Sequence, residues 1–237
     1  MIFDQETVLR KSAALDRFFT RTLKSIIDDL TGVFGNVQNV QLLPRPWYPG
    51  GGAILFMAII DGVEAVVKIK DKTLGVGSRL ECEPTFPTPK SLANEAAFCF
   101  LLAKEPHVPT LRAYLEDDEY AYECFERLSP FEQGITALSS HERLEAFKQI
   151  EALLSRLYQQ CIVHGDVHEK NILFRGKQAV LCDFEEARLL QQDLPFEQSL
   201  DVAGENQYGR LGQFPAEHGL VGRTCLNRLR QVFARLT

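Results

Sequence analysis

Close cysteine pairs are absent from this sequence. Its six cysteines, Cys82, Cys99, Cys124, Cys161, Cys182 and Cys225, form no CxxC unit. A zinc site wants clustered Cys and His, so none is expected. Scattered thiols in a chain of 237 residues read as small core hydrophobes in a reducing compartment, which points to the cytoplasm. Long apolar runs are missing too. The longest, Ala53–Ile60, falls well short of the roughly 20 residues that a membrane span needs. The N-terminus, MIFDQETVLRK, is charged early and lacks the apolar h-region of a signal peptide. There is no basic excess: 26 Lys and Arg stand against 32 Asp and Glu, a net charge of −6. That lacks the footprint of a nucleic-acid binder. Internal repeats and low-complexity segments are likewise absent.

What remains is an ordinary globular composition, 45% apolar and 24% charged. Residues 5–31 read as a helix, because Leu15, Phe18, Phe19, Leu23, Ile26, Ile27 and Leu30 fall at steps of three and four. The spacing predicts that it packs on its own domain. A Pro- and Gly-rich turn, PRPWYPGGG (44–52), opens into AILFMAIIDGVEAVVKIK (53–70). Asp61-Gly62 between two apolar runs signals a hairpin with strands at 53–60 and 63–70. Residues 71–90, with three prolines, read as a loop, and Ser91 as the cap of a helix running to about 103. Strand-like stretches follow at 111–127. Ser139 and Glu142 form a capping box before a helix whose expected apolar face is Leu144, Phe147, Ile150, Leu153, Leu154 and Leu157. A last helix is expected from a cap at Thr224, with Leu226, Leu229, Val232, Phe233 and Leu236 buried. A strand-rich half followed by a helix-rich half suggests an α+β protein of two lobes.

The chemistry concentrates in His164-Gly165-Asp166-Val167-His168-Glu169-Lys170-Asn171, with Asp183-Phe184-Glu185 at the end of a following strand. Asp166 and Asn171, five residues apart on a tight loop, can converge on one small volume, and Asp183 joins from a strand end. Oxygen-only ligands of this kind suit Mg²⁺. A carboxylate not tied to metal can orient an attacking hydroxyl and take its proton.

This segment resembles the catalytic loop of the protein-kinase-like superfamily, H-x-D-x-x-x-x-N with D-F-x downstream. Lys68 in AVVKIK, Glu95 in the following helix and YECFE (122–126), which looks like the hinge between lobes, appear in the family's order. The resemblance covers roughly residues 40–190. It implies a protein-kinase-like bilobal fold: a helical extension over 1–35, a strand-rich N-lobe over about 36–124 and a short helical C-lobe over about 125–237. It further implies ATP and Mg²⁺ as cofactors. Lys68 would contact the α- and β-phosphates and be held by Glu95, and Asp166 would be the catalytic base. Asn171 and Asp183 would hold Mg²⁺, while Gly50, Gly51, Gly52, Lys68, Glu123 and Phe125 would line the nucleotide.

Several positions depart from a protein kinase. The glycine loop is a bare Gly50-Gly51-Gly52 rather than GxGxxG. His168 stands where protein kinases usually carry Lys, and Glu185 replaces the glycine of DFG. HGDxH and DFE are more like aminoglycoside, choline and lipopolysaccharide-type kinases. Only 54 residues follow Asp183, so a short helical lobe is expected. His164 reads as a loop brace, and Cys161 and Cys182 as core. The resemblance therefore favours an ATP-dependent phosphotransferase whose acceptor is a hydroxyl of a sugar or glycan. A minimal Ser/Thr protein kinase and a nucleotide-binding pseudokinase scaffold are the alternatives. The Gly-rich stretch 204–222 reads equally as a substrate-facing or a plain surface loop. Residues 218–237 hold Arg223, Arg228, Arg230 and Arg235 and no acid. That reads as a solvated helix face, with an anion site or peripheral membrane contact as the other readings.

Overall fold

The computed structural model describes residues 23–43, 53–71, 92–116, 118, 120–189 and 221–234. Gly50, Gly51, Gly52, the 71–90 loop beyond Asp71, Ser91, the 204–220 stretch, Arg235 and Leu236 lie outside the described residues. The architecture is α+β, and the chain divides into two compact units. The first holds residues Met1–Thr85 and Ala113–Arg127, the second Phe86–Arg112 and Leu128–Thr237.

The first unit is built on helix α1 (Leu23–Phe34) and a sheet of β1 (Val37–Leu42), β2 (Ala53–Ile60), β3 (Val63–Asp71), β4 (Leu111–Glu116) and β5 (Tyr120–Glu126), in the order β1-β2-β3-β5-β4. The β2–β3 hairpin forms where the Asp61-Gly62 signal places it. Its register runs from Ile60↔Val63 to Ala53↔Lys70. Both turn residues have positive φ, 49° at Asp61 and 78° at Gly62, as a two-residue turn matched to the strand twist requires. Asp61 also ties the hairpin to the end of α1, since its carboxylate accepts from the Asn36 amide at 3.3 Å.

Strand alternation sorts the sheet into two faces. Ala65, Val67 and Ile69 of β3, with Tyr120, Tyr122 and Cys124 of β5, join Leu30 of α1 in one apolar core. Leu30 is wholly buried, so the helix packs on its own unit. It runs on past the expected end at residue 31 and stops before Gly35, whose φ of 83° is open to glycine at little cost. The alternate residues Val66, Lys68 and Lys70, and Ala121, Glu123 and Phe125, occupy the opposite face. YECFE, expected as the inter-lobe hinge, is the body of strand β5. Every residue from Ala121 to Glu126 is paired with β3, and the chain leaves the unit only after Arg127.

The second unit contains α2 (Leu92–Leu101), α3 (Phe131–Thr136), α4 (Ser140–Gln159), β6 (Ile162–Val163), β7 (Ile172–Arg175), β8 (Gln178–Leu181), β9 (Arg188–Leu189) and α5 (Val221–Ala234). The capping box of α4 is complete: Ser139 Oγ accepts from the Glu142 amide and Glu142 Oε2 accepts from the Ser139 amide. Its buried stripe is Ala146, Phe147, Ile150, Leu153, Leu154 and Leu157. Leu144 departs from expectation and is 46% exposed. At about 100° per residue it lies about 120° round the helix from Ile150, whereas Ala146 lies about 40° away. Phe233 of α5 meets Phe131 and Phe147 edge-on at 5.3 and 6.0 Å, and Arg230 lies over the Phe147 ring at 5.2 Å. Thr224 is not the cap of α5. The helix starts three residues earlier, at Val221, and a capping preference of about 1 kcal/mol yields readily to packing of Leu229 and Phe233. No helix among the described residues is long and apolar enough to cross a membrane.

Gly134 allows α3 to lie directly on the strand that leads out of the catalytic-loop motif. A Cβ there would fall 2.2 Å from Phe174 Cδ2 and 2.7 Å from its Cβ. Phe174 is 1% exposed and cannot swing into solvent. Gly134→Ala is therefore expected to lower unfolding free energy by about 1–3 kcal/mol, measured by urea denaturation. An unchanged midpoint would show that the helix can slide away from the strand.

Candidate functional site

The motif residues are brought together by short elements of the second unit. Strand β6 ends at Val163, a loop carries His164–His168, and one turn of 3₁₀ helix, Glu169–Asn171, leads into β7. The β7–β8 hairpin then returns the chain to Asp183, and a second 3₁₀ turn, Phe184–Glu186, delivers it to β9, which pairs back onto β6. Both ends of the motif are thus pinned by one small two-stranded sheet.

Inside this frame His164 is buried, at 2% exposure. Its Nδ1 accepts from the Asp166 amide at 3.2 Å and its Nε2 lies 3.0 Å from the Cys182 carbonyl. The two partners assign the tautomer: Nδ1 must be bare and Nε2 must carry the proton. Burial pushes its pKa below the usual histidine value, against the opposing pull of Asp166 and Asp183. The ring also meets Phe184 edge-on at 4.5 Å. His164 is a neutral brace, as its position in the sequence suggests.

Asp166, 7% exposed, sits where the loop turns. Asn171 closes that turn by donating its side-chain amide to the Asp166 carbonyl at 2.9 Å, which leaves Oδ1 as its acceptor atom. The Asn171 carbonyl in turn accepts from the Cys182 amide at 2.8 Å and the Cys182 thiol at 3.2 Å. His168 Nδ1 accepts from the Lys170 amide, so its Nε2 carries the proton. That atom lies 3.2 Å from Asp166 Oδ1. It is off the hydrogen-bond direction, and Oδ1 has no aligned donor among the described residues.

Asp183 has left-handed backbone, φ 70° and ψ 60°. Such a conformation strains a non-glycine residue, although Asp tolerates it better than most. Helix α2 holds the turn that follows. Asn94 Nδ2 donates to the carbonyls of Phe184, Glu185 and Ala187 at 3.3, 3.0 and 2.9 Å, and Glu95 accepts from the Phe184 amide at 3.3 Å. Glu95 is 2% exposed. Carboxylate oxygens of Glu95, Asp183 and Glu185 lie within 4.8 Å of one another. In the sequence Glu185 stands out only as the residue displacing a glycine. Its place two residues after Asp183 was the available signal that it shares the same volume. Hard oxygen donors in this number suit Mg²⁺, so the residues present fit the ion that the motif implies.

Lys68 and the strand residues Glu123 and Phe125 belong to the first unit. Lys68 and Glu123 are buried at 5% and 0% exposure, and Phe125 at 9%. The structure places Glu95, Asp166, Asn171 and Asp183 together in the second unit.

Two outcomes follow from this geometry. His164 resists protonation when folded and accepts a proton near pH 6.5 when unfolded. The unfolded chain therefore binds more protons below that value. Stability is expected to be present above pH 6.5 and to fall as the pH drops below it, by up to about 1.4 kcal/mol per pH unit. His164→Gln should flatten that slope between pH 7 and 5 in denaturant titrations, and an unchanged slope would assign the acid sensitivity elsewhere. Asn94→Ala should speed hydrogen exchange at residues 184–189 while leaving α4 protected, and equal exchange at both would show that α2 does not hold the turn.

None of the curated proteins compared matches this chain. A model of the phosphotransferase enzyme family, APH, matches residues 132–190. The match spans α3 through β9 and contains Asp166, Asn171 and Asp183. That family is part of the protein-kinase-like superfamily, and its match indicates phosphotransfer chemistry and a kinase-type enzyme.

Proposed function

We propose that the chain is an ATP-dependent phosphotransferase that moves the γ-phosphoryl group to a hydroxyl of a sugar or glycan. The observation that carries this reading is the closed loop around Asp166. The carboxylate is nearly buried, its backbone is fixed by His164 and Asn171, and Asp183 stands at the end of the adjoining hairpin. The match to the phosphotransferase family over the same segment supports it. Glu185 in the place of a flexible glycine supports a small-molecule or glycan acceptor over a protein one, because a clamped turn suits a site that is assembled permanently.

In this reading Asp166 orients the acceptor hydroxyl and takes its proton as the oxygen attacks the γ-phosphorus. The bond to the β–γ bridging oxygen breaks and ADP departs. Asn171 and Asp183 hold Mg²⁺, with Glu185 in reach of the same volume. When bound, the ion neutralises charge on the phosphate oxygens. Lys68 is assigned to the α- and β-phosphates, with Glu95 as its partner, on the resemblance of the motif set. His164 keeps the loop in one conformation and stays neutral. The rate gain comes from positioning and charge stabilisation, which these groups supply without a covalent intermediate.

Incubation with Mg-ATP and a panel of sugars, oligosaccharides and generic protein substrates is expected to give phosphorylated sugar or glycan. Labelling of the proteins alone would reject the glycan reading. Asp166→Asn should lower kcat roughly 100- to 10,000-fold at an unchanged melting temperature. Full turnover in that variant would remove Asp166 from the chemistry.

A further inference from the structure

Residues 102–110, between α2 and β4, form neither helix nor strand, so their backbone groups need partners elsewhere. Residues 105–108 find them on α4 and on the β7–β8 hairpin. Glu105 Oε2 accepts from Arg156 of α4 through Nε and Nη2, at 3.0 and 2.9 Å. Arg175, the last residue of β7, donates to the carbonyls of Pro106 at 2.7 Å and Val108 at 3.4 Å, and to Gln178 across the hairpin at 3.1 Å. The His107 carbonyl accepts from the Leu181 amide at 2.9 Å. The His107 ring Nδ1 lies 2.8 Å from the Ala179 carbonyl, so that nitrogen carries the proton.

The same hairpin opens and closes at the phosphotransfer motif. Asn171 stands just before β7, and Asp183 follows two residues after β8 ends. Helix α2 is therefore joined to this hairpin twice. Its first turn meets the segment after Asp183 through Asn94 and Glu95, and residues 105–108 tie its far end to β7 and β8. The backbone between the two attachments is bonded turn by turn: Leu102 donates to Phe98, Ala103 to Phe100, Glu105 to Leu102 and Val108 to Glu105. A helix of 10 residues, about 15 Å long, is thus held at both ends.

We propose that Arg175 and His107 are positioning residues for the phosphotransfer site. Through residues 105–108 they fix the far end of α2, and α2 carries Asn94 and Glu95 to the turn after Asp183. The helix is then a permanent part of the second unit, and Glu95, Asn171 and Asp183 keep their places before any nucleotide arrives. Side chains locked by such supporting bonds hold a site within the tolerance that chemistry needs. A misplacement of about 1 Å can cost roughly 100-fold in rate. The anchor itself stands on the bonds above, and its consequence for Mg-ATP rests on the phosphotransferase reading.

Hydrogen exchange on the full chain tests it. Residues 92–101 should exchange at one rate with and without bound Mg²⁺ and the non-hydrolysable analogue AMP-PNP. Strong protection of α2 by the nucleotide would overturn the permanent anchor. Arg175→Met keeps the aliphatic stem and removes the donors. It should speed exchange roughly tenfold at 92–101 and at 184–189, with α4 still protected. Faster exchange confined to 105–108, or equal loosening of α4, would overturn the positioning role. His107→Asn keeps a donor near the Nδ1 position, and His107→Leu removes it. Asn should therefore be the milder change at 184–189, and a milder Leu would overturn the proposal in favour of packing. Turnover of the sugar phosphorylated in the panel above supplies the functional readout. Arg175→Met should raise the Mg²⁺ concentration for half-maximal turnover roughly tenfold and leave the sugar KM unchanged. An equal rise in both would overturn positioning through α2. A chain that binds no Mg-ATP, yet loosens at 184–189 in Arg175→Met, would sink the phosphotransferase reading and uphold the anchor. A chain that phosphorylates sugar while Arg175→Met leaves 184–189 unchanged would do the reverse.

Discussion

The centre of the second unit depends on one buried, neutral imidazole. His164 accepts from the Asp166 amide on one side and donates to the Cys182 carbonyl on the other. The loop that carries Asp166 and the strand end that carries Asp183 are joined through that single ring. A protonated His164 would lose its acceptor atom and place a charge in an apolar surround beside Phe184. Asn171 repeats the connection at a second point, donating to the Asp166 carbonyl while its own carbonyl receives the Cys182 amide and thiol. A loop with so few regular backbone bonds keeps one shape because side chains supply the missing partners.

The segment after Asp183 is held by different means. Asp183 adopts left-handed backbone, and the turn that follows has little regular pairing of its own. Helix α2 compensates with Asn94 and Glu95, two adjacent side chains that meet carbonyls and an amide of the turn. Strain at Asp183 is therefore balanced by bonds from an element far away in sequence. The same clamp gathers Glu95, Asp183 and Glu185 within 4.8 Å. Like charges at that spacing repel, and a divalent ion is the natural neutraliser.

Much of this was legible beforehand because it depends on local chemistry. The Asp61-Gly62 turn, the Ser139–Glu142 capping box and the HxDxxxxN spacing each involve residues within a few positions of one another. Leu144 and Thr224 depart from expectation for the opposite reason. A helical stripe can be drawn through Leu144 or through Ala146, and a threonine can cap or sit inside a first turn, until packing partners decide. YECFE resembles a connector in sequence, yet it is an interior strand between β3 and β4, and its pairing with β3, a strand some fifty residues earlier, is something no local pattern reveals. Asn94 carried no signal at all. A polar residue beside Glu95 at the start of a helix looks like surface until the partner turn is known.

The sequence by itself determined the residue types of the phosphotransfer motif, their order and the hairpin that bears Lys68. Those depend on chemical identity and short-range turn geometry. Tertiary structure alone decided three other matters: that Glu185 joins Asp183 and Glu95, that Asn94 secures the turn, and that residues 105–108 fasten to the β7–β8 hairpin. Each is a meeting of residues distant along the chain, governed by strand register and helix docking rather than by any local preference.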